Sequence, residues 1–146
     1  MRLSTKGRYA VMAMVDLADQ GGGRAVSLAE IAQRQDISLS YLEQLFAKLR
    51  RRGLVQSARG PGGGYRLARP ASETPISDIV VAVDEPLKVV RCGGGPKGCL
   101  PGGARCATHE LWDALGRQIH QFLSSTSLAD VAEGRLGGEA STVRAA

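Results

Sequence analysis

The chain contains no run of about 18 apolar residues, the length a helix needs to cross a bilayer, so no membrane-spanning segment is expected. Its start, Met1-Arg2-Leu3-Ser4-Thr5-Lys6, lacks the apolar stretch and small-residue cleavage site of a secretory signal. A cytoplasmic protein without a membrane partner is therefore expected. Cysteine is scarce, at 3 in 146 residues. In a reducing compartment three cysteines do not form a disulfide framework, and their odd number leaves one unpaired, which directs attention to metal or cluster ligation or to redox sensing. There is no internal repeat, and the length suits one domain plus an appended element that needs a partner to bury its apolar face. A two-domain catalytic architecture is not expected.

Acidic residues are sparse in one half only. Residues 1–70 hold 12 Lys and Arg against 5 Asp and Glu, whereas residues 71–146 hold 7 against 9. The first half is thus the candidate polyanion-binding face.

Helical periodicity begins at Ser4 and runs to about Asp19 through Ala10, Ala13, Met14 and Leu17, ending at Gly21-Gly22-Gly23. Ser27 and Glu30 have the spacing of a capping box for a short second helix that stops near Gln35. After a turn at Asp36-Ile37-Ser38, Leu42, Leu45, Phe46 and Leu49 form the core stripe of a third helix that finishes with Arg50-Arg51-Arg52 before Gly53. Two strands are predicted over Leu54–Arg59 and Tyr65–Ala68, joined by a glycine-rich tip, and a further helix over Ile76–Val83 ends near Asp84-Glu85-Pro86. Lys88 to Arg105 has no periodicity; it is a glycine-rich loop, either disordered or held by something bound to it. A long helix from Thr108 to about Ser124 carries Leu111, Leu115, Ile119 and Phe122 on one stripe. Ser127-x-x-Asp130 caps a short last turn, and the tail from Gly134 is polar.

Two short helices joined by a tight turn and followed by a basic hairpin match the winged helix-turn-helix plan, in which the second helix enters the major groove of DNA. The face opposite the core stripe presents Ser40, Tyr41, Glu43, Gln44, Ala47 and Lys48 to solvent. Gln44 can pair with adenine, Ser40 and Tyr41 can reach bases or phosphates, and Lys48 with Arg50, Arg51 and Arg52 can neutralise the backbone. On the hairpin, Arg59 precedes a tip containing Gly60 and Gly62, with Arg66 and Arg69 on the return strand, a placement suited to the narrow minor groove. The tip is not a nucleotide loop, because no Lys-Ser/Thr follows it and no helix starts there. Glu43 is the one acid on this face. It acts either as a gate against operators that leave it unpaired or as the partner of Ser40 in a capping box.

The remaining constellation is Cys92-x6-Cys99-x6-Cys106-x2-His109, four soft or borderline donors in one glycine-rich loop and the first turn of a helix. Such donors suit an iron-sulfur cluster, zinc or Cu(I), and the lack of a paired C-x2-C weakens zinc. A helix N-terminus also favours an anionic site there. His120 has no metal-ligand neighbour and is read as a polar surface residue.

The start Met1 to Val11, the stretch Ser38-Leu39-Ser40-Tyr41-Leu42-Glu43-Gln44-Leu45-Phe46, the wing Arg59-Gly60-Pro61-Gly62-Gly63-Gly64-Tyr65 and Cys106-x2-His109-x2-Trp112 together resemble the IscR-type family of bacterial winged-helix regulators over residues 1–132. The resemblance implies a homodimeric regulator, mainly a repressor, that ligates a [2Fe-2S] cluster through Cys92, Cys99, Cys106 and His109. It also implies that the Fe-S assembly machinery donates the cluster, and that palindromic operators control genes of cluster assembly. Six residues separate each cysteine pair here, where the family more often has five. Some relatives that sense nitric oxide supply a carboxylate where Arg8 stands, which argues against that branch, whereas an iron-responsive branch shares the fold and three cysteines. The expected fold is mostly α with a small two-stranded β wing: a winged helix-turn-helix domain over 1–86, a cluster-binding loop over 87–106, a dimerisation helix with a short helical turn over 107–132 and a disordered tail over 133–146. The expected function is not enzymatic. A zinc or thiol switch using the same residues and a small electron carrier are the competing readings.

Overall fold

The computed structural model describes residues 4–84 and 99–136. Cys92, most of the expected loop and the end of the tail lie outside those residues. Six α-helices, a short 3-10 turn (Ala71–Glu73) and one two-stranded sheet are found among the described residues, the α-helices and strands in the order α1 (Thr5–Gly21), α2 (Leu28–Gln35), α3 (Leu39–Arg51), β1 (Val55–Ala58), β2 (Gly64–Leu67), α4 (Ile76–Ala82), α5 (His109–Ser125) and α6 (Leu128–Ala132). The architecture is mostly helical with a two-stranded antiparallel wing, as expected from periodicity.

Local chemistry sets the boundaries of the reading helices. Ser27 accepts from the Glu30 amide at 3.2 Å while the Glu30 carboxylate accepts from the Ser27 amide at 2.9 Å, so the predicted capping box starts α2. Asp36, at φ 53°, ends α2 in the left-handed region, which aspartate tolerates better than most residues. The cap of α3 is Ser38, whose Oγ accepts from the Tyr41 amide at 3.3 Å. Because α3 already begins at Leu39, Ser40 sits inside the first turn, and the Ser40–Glu43 capping box considered above does not form. At the other end, the Gly53 amide bonds the Arg50 carbonyl and the Leu54 amide the Leu49 carbonyl. With Gly53 at φ 76°, this Schellman stop turns the chain sharply and sends Leu54 into the core.

The core gathers Ala10, Met14 and Leu17 of α1, Ile31 of α2, Leu42, Phe46 and Leu49 of α3 and Ile79, Val80 and Val83 around α4. It also takes in Leu128. The short last helix is therefore a structural part of the domain: α6 packs on α1, and backbone bonds from Ile76 to Thr126 and from Leu128 to Thr74 tie it to the start of α4. The wing strands pair Val55 with Leu67 and Ala58 with Gly64, one residue shorter at most ends than the alternation suggested. A third extended residue was not anticipated. Val26 exchanges two backbone hydrogen bonds of 2.8 Å with Tyr65, attaching the wing to the segment that enters α2.

Asp16 is a buried acid on the core face of α1. Arg34 grips it with two nitrogens, at 2.7 and 3.0 Å, and Gln35 donates at 2.9 Å, so α2 is fastened to α1 by a forked charge-assisted contact. Burial alone raises the carboxyl pKa, but the hydrogen bonds from Arg34 and Gln35 and the Arg34 charge together hold it below its ordinary value. A depressed carboxyl stabilises the fold above its unfolded value of about 3.9 and loses that contribution as pH falls through the lower folded value. Asp16→Asn is thus expected to cost about 1–3 kcal/mol near neutral pH, allowing for the solvent-facing edge of Arg34. The gap to the parent protein should close in acid. Urea titrations from neutral to strongly acidic pH check this, and a pH-independent gap would show that the charge of Asp16 is irrelevant to the loss.

Candidate nucleic-acid interface and ligand loop

The segment α2–turn–α3 presents the exposed side chains Ser40, Glu43, Gln44, Ala47, Arg50 and Arg51 on one face of α3. The stripe Leu42, Leu45, Phe46 and Leu49 on the other face is buried, so this orientation follows from the core. Two expected members of the outer face lie elsewhere. Tyr41 is half-buried because its ring meets Tyr9 edge-on, with centroids 5.9 Å apart. Lys48 is also half-buried, and its ammonium lies 2.7 Å from Asp84 Oδ2 at the end of α4. The Glu43 carboxylate makes no hydrogen bond or ion pair among the described residues.

The wing stands beside the C-terminal half of α3. Tyr65 packs edge-on against Phe46 at 5.0 Å, and an open cleft of about 390 Å³ lined by Ala47, Arg50, Arg51 and Tyr65 separates helix from wing. Arg59, Gly60 and Gly62 lie exposed at the tip, and Arg66 is exposed on β2. Charge pairing divides the cations sharply. Arg24, Arg34, Lys48, Arg69, Arg105, Arg117 and Arg135 each have a carboxylate partner. Among the described residues, Lys6, Arg8, Arg50, Arg51, Arg52, Arg59 and Arg66 have none at ion-pair distance, and they cluster at the start of α1, the end of α3 and the wing. Sequence alone does not bring Lys6 and Arg8, at the start of α1, near α3, where Tyr9 meets Tyr41.

The ligand loop is represented by two of its cysteines. Cys99 Sγ lies 3.4 Å from His109 Nδ1 and accepts the Cys106 amide at 3.1 Å. His109 is 7% exposed and opens α5, with its amide bonded to the Cys106 carbonyl. The Cys106 thiol is 3.7 Å from Thr108 Oγ1, which in turn accepts the Trp112 indole N–H at 3.1 Å. Cys99, His109 and the Cys106 backbone therefore converge, while the Cys106 sulfur is turned toward Thr108. No group of three or more candidate metal ligands is assembled among the described residues. The donor set still fits a thiophilic group: a thiol beside an imidazole, with a backbone N–H aimed at the sulfur. His120 is exposed, as expected, with Nδ1 3.2 Å from Ser124 Oγ.

The model of the Rrf2 family, described as an iron-dependent transcriptional regulator, matches residues 3–134. The chain belongs to the Rrf2 family. It is 52% identical over 134 residues to the HTH-type transcriptional regulator IscR of Cereibacter sphaeroides, covering 90% of this chain and 86% of that one. The structure of T. potens IscR is 37% identical with a TM-score of 0.75, covering 95% of this chain and 91% of that chain. CymR, described as the global cysteine regulator of B. subtilis, is 35% identical with a TM-score of 0.78, covering 91% and 97%. This Rrf2 chain is thus an IscR-type, DNA-binding transcriptional regulator and not an enzyme. CymR shows that the family is diverse in what its members govern. No helix among the described residues is long and apolar enough to cross a membrane.

In this regulator the wing depends on Gly64. A Cβ there would lie 2.3 Å from the Val26 carbonyl oxygen and 2.4 Å from its carbon, contacts with backbone that cannot swing aside. Gly64→Ala is expected to cost about 1–3 kcal/mol and to weaken binding to any duplex, because the wing must shift off Val26. Thermal melts paired with duplex titrations check both effects; a variant with parental melting and parental affinity would show that the wing tolerates the displacement.

Proposed function

We propose that the protein is a sequence-specific regulator that binds palindromic operators as a homodimer, mainly represses, and reports Fe-S status to genes of cluster assembly. The observation that supports the DNA face is the concentration of unpaired arginines, Arg50, Arg51, Arg59 and Arg66, on α3 and the wing. In this reading Ser40, Glu43 and Gln44 approach base edges, Arg50 and Arg51 meet phosphates, and Arg59 with Gly60 and Gly62 follows the minor groove, while Tyr41 is held against Tyr9 and Lys48 against Asp84. Glu43, exposed and without a partner, suits a gate better than a helix cap, since the cap is already supplied by Ser38.

Dimerisation is assigned to α5. Of its 17 residues only His109 is buried, while Leu111 is 57% and Phe122 49% exposed, so its apolar stripe awaits a second copy. Cys92, Cys99, Cys106 and His109 hold the [2Fe-2S] cluster, which the cytoplasmic Fe-S assembly machinery supplies. When bound, the cluster supplies an iron- and redox-dependent charge at the start of α5. His109 anchors the site because it is buried, and the Cys106 amide orients the Cys99 sulfur.

Operator titrations with and without reconstituted cluster test the DNA reading. A dimer making roughly 6–10 phosphate contacts loses on the order of 10³–10⁵ in affinity between ~50 and ~200 mM salt. Arg59→Ala should weaken binding further, and Glu43→Ala without cluster should relax the choice among a panel of operators. Affinity flat with salt would defeat the assignment of the basic face.

Replacement of Cys92, Cys99 or Cys106 by serine should abolish stable cluster binding and leave the dimer folded, since the loop adds little apolar core. His109→Cys should keep a cluster of lower potential, because a thiolate adds negative charge where imidazole is neutral. Anaerobic visible spectra read all four variants, and spectra unchanged throughout would remove these residues as ligands.

A further inference from the structure

Lys48 differs from its neighbours at the end of α3. Arg50 and Arg51 project without a carboxylate, whereas the Lys48 ammonium donates to Asp84 Oδ2 at 2.7 Å. Asp84 lies two residues beyond the end of α4, at φ 62°, in the left-handed region that aspartate tolerates better than most residues. The Lys48 hydrogen bond and charge, with smaller contributions from Lys6 and Arg52, keep the Asp84 carboxyl below its ordinary range. The Asp84 carboxylate therefore stays ionised at neutral pH. Its side chains are 32% and 62% exposed, so it adds little to the fold, and an exposed ion pair opens at small cost. Along the chain, Asp84 comes just before the segment that leads to Cys92 and Cys99.

We propose that Asp84 is a positioning residue that withholds Lys48 from DNA: the Asp84 carboxylate and a DNA phosphate compete for the same ammonium, so Asp84 sets how many phosphates α3 engages. The proposal rests on the assignment of α3 as the reading helix. The exchange is one ion pair for another, with no proton or covalent bond transferred. A change at Asp84 that breaks this pair adds one free cation to the α3 surface.

Asp84→Asn removes the charge and keeps a side chain that tolerates a left-handed backbone; Asp84→Gly, which relieves the backbone altogether, serves as the second variant. The full-length parent, both variants, Lys48→Met and the Lys48→Met/Asp84→Asn double variant are titrated by fluorescence anisotropy onto a duplex recovered by selection on the parent, and onto a scrambled duplex. Freed Lys48 should tighten binding to both duplexes by about 3–10-fold at ~150 mM salt and steepen the salt slope by about 1 per protomer. In the Lys48→Met background Asp84→Asn should change neither. The proposal falls if both Asp84 variants keep the parental slope, or if the same gain persists without Lys48, which would mark a general charge effect. A parent that bound no duplex in a salt-dependent way would remove the DNA assignment itself, a result distinct from either of these.

Discussion

The two hydrogen bonds between Val26 and Tyr65 hold the reading surface together. They make the residue entering α2 a short third strand of the wing, so helix-turn-helix and hairpin become one rigid unit. Gly64 allows the approach, Phe46 receives the Tyr65 ring, and the Schellman stop at Gly53 launches β1 from the end of α3 at a fixed angle. A two-stranded ribbon alone is marginal in water, and its backing by Val26 gives this one a defined place beside α3. The spacing between the α3 outer face and the wing tip follows from these contacts.

A second layer of constraint orients α2 and α3 on the body. The forked contact from Arg34 to buried Asp16 places a full charge in the interior, where loss of one partner strands the other. This contact is polar and directional, so it resists sliding of α2 along α1 better than apolar packing alone. Carboxylates elsewhere neutralise most of the cations on the rest of the molecule, leaving the free arginines on α3 and the wing. The positive field is therefore a property of ion-pair bookkeeping over the whole surface, beyond the simple excess of basic residues in the first half.

The helix α5 joins the two halves of the proposed mechanism. Its first residue, His109, is buried beside Cys99, while Leu111 and Phe122 of its apolar stripe are left open to solvent. A ligand held at its N-terminus and a second copy packed along its length would act on one rigid element. The α4–α5 packing then brings that element against the core helix whose end carries Asp84.

Periodicity and capping chemistry made most of the fold legible in the amino-acid order. The stripe Leu42, Leu45, Phe46, Leu49 oriented α3, Ser27 and Glu30 announced α2, and the glycines after Arg59 marked the wing, because these signals act between residues a few positions apart. The approach of Cys99 to His109 and to the Cys106 amide was likewise a matter of short spacing. What was not legible depended on residues distant in the chain. Val26 has no strand pattern of its own and becomes one only because Tyr65 lies opposite, and the Asp16–Arg34 contact joins residues 18 positions apart. Lys48 reads as a phosphate ligand until Asp84, 36 residues away, takes its ammonium. Long-range pairing of this kind is chosen by the packing of the whole core, which leaves no local trace at either partner.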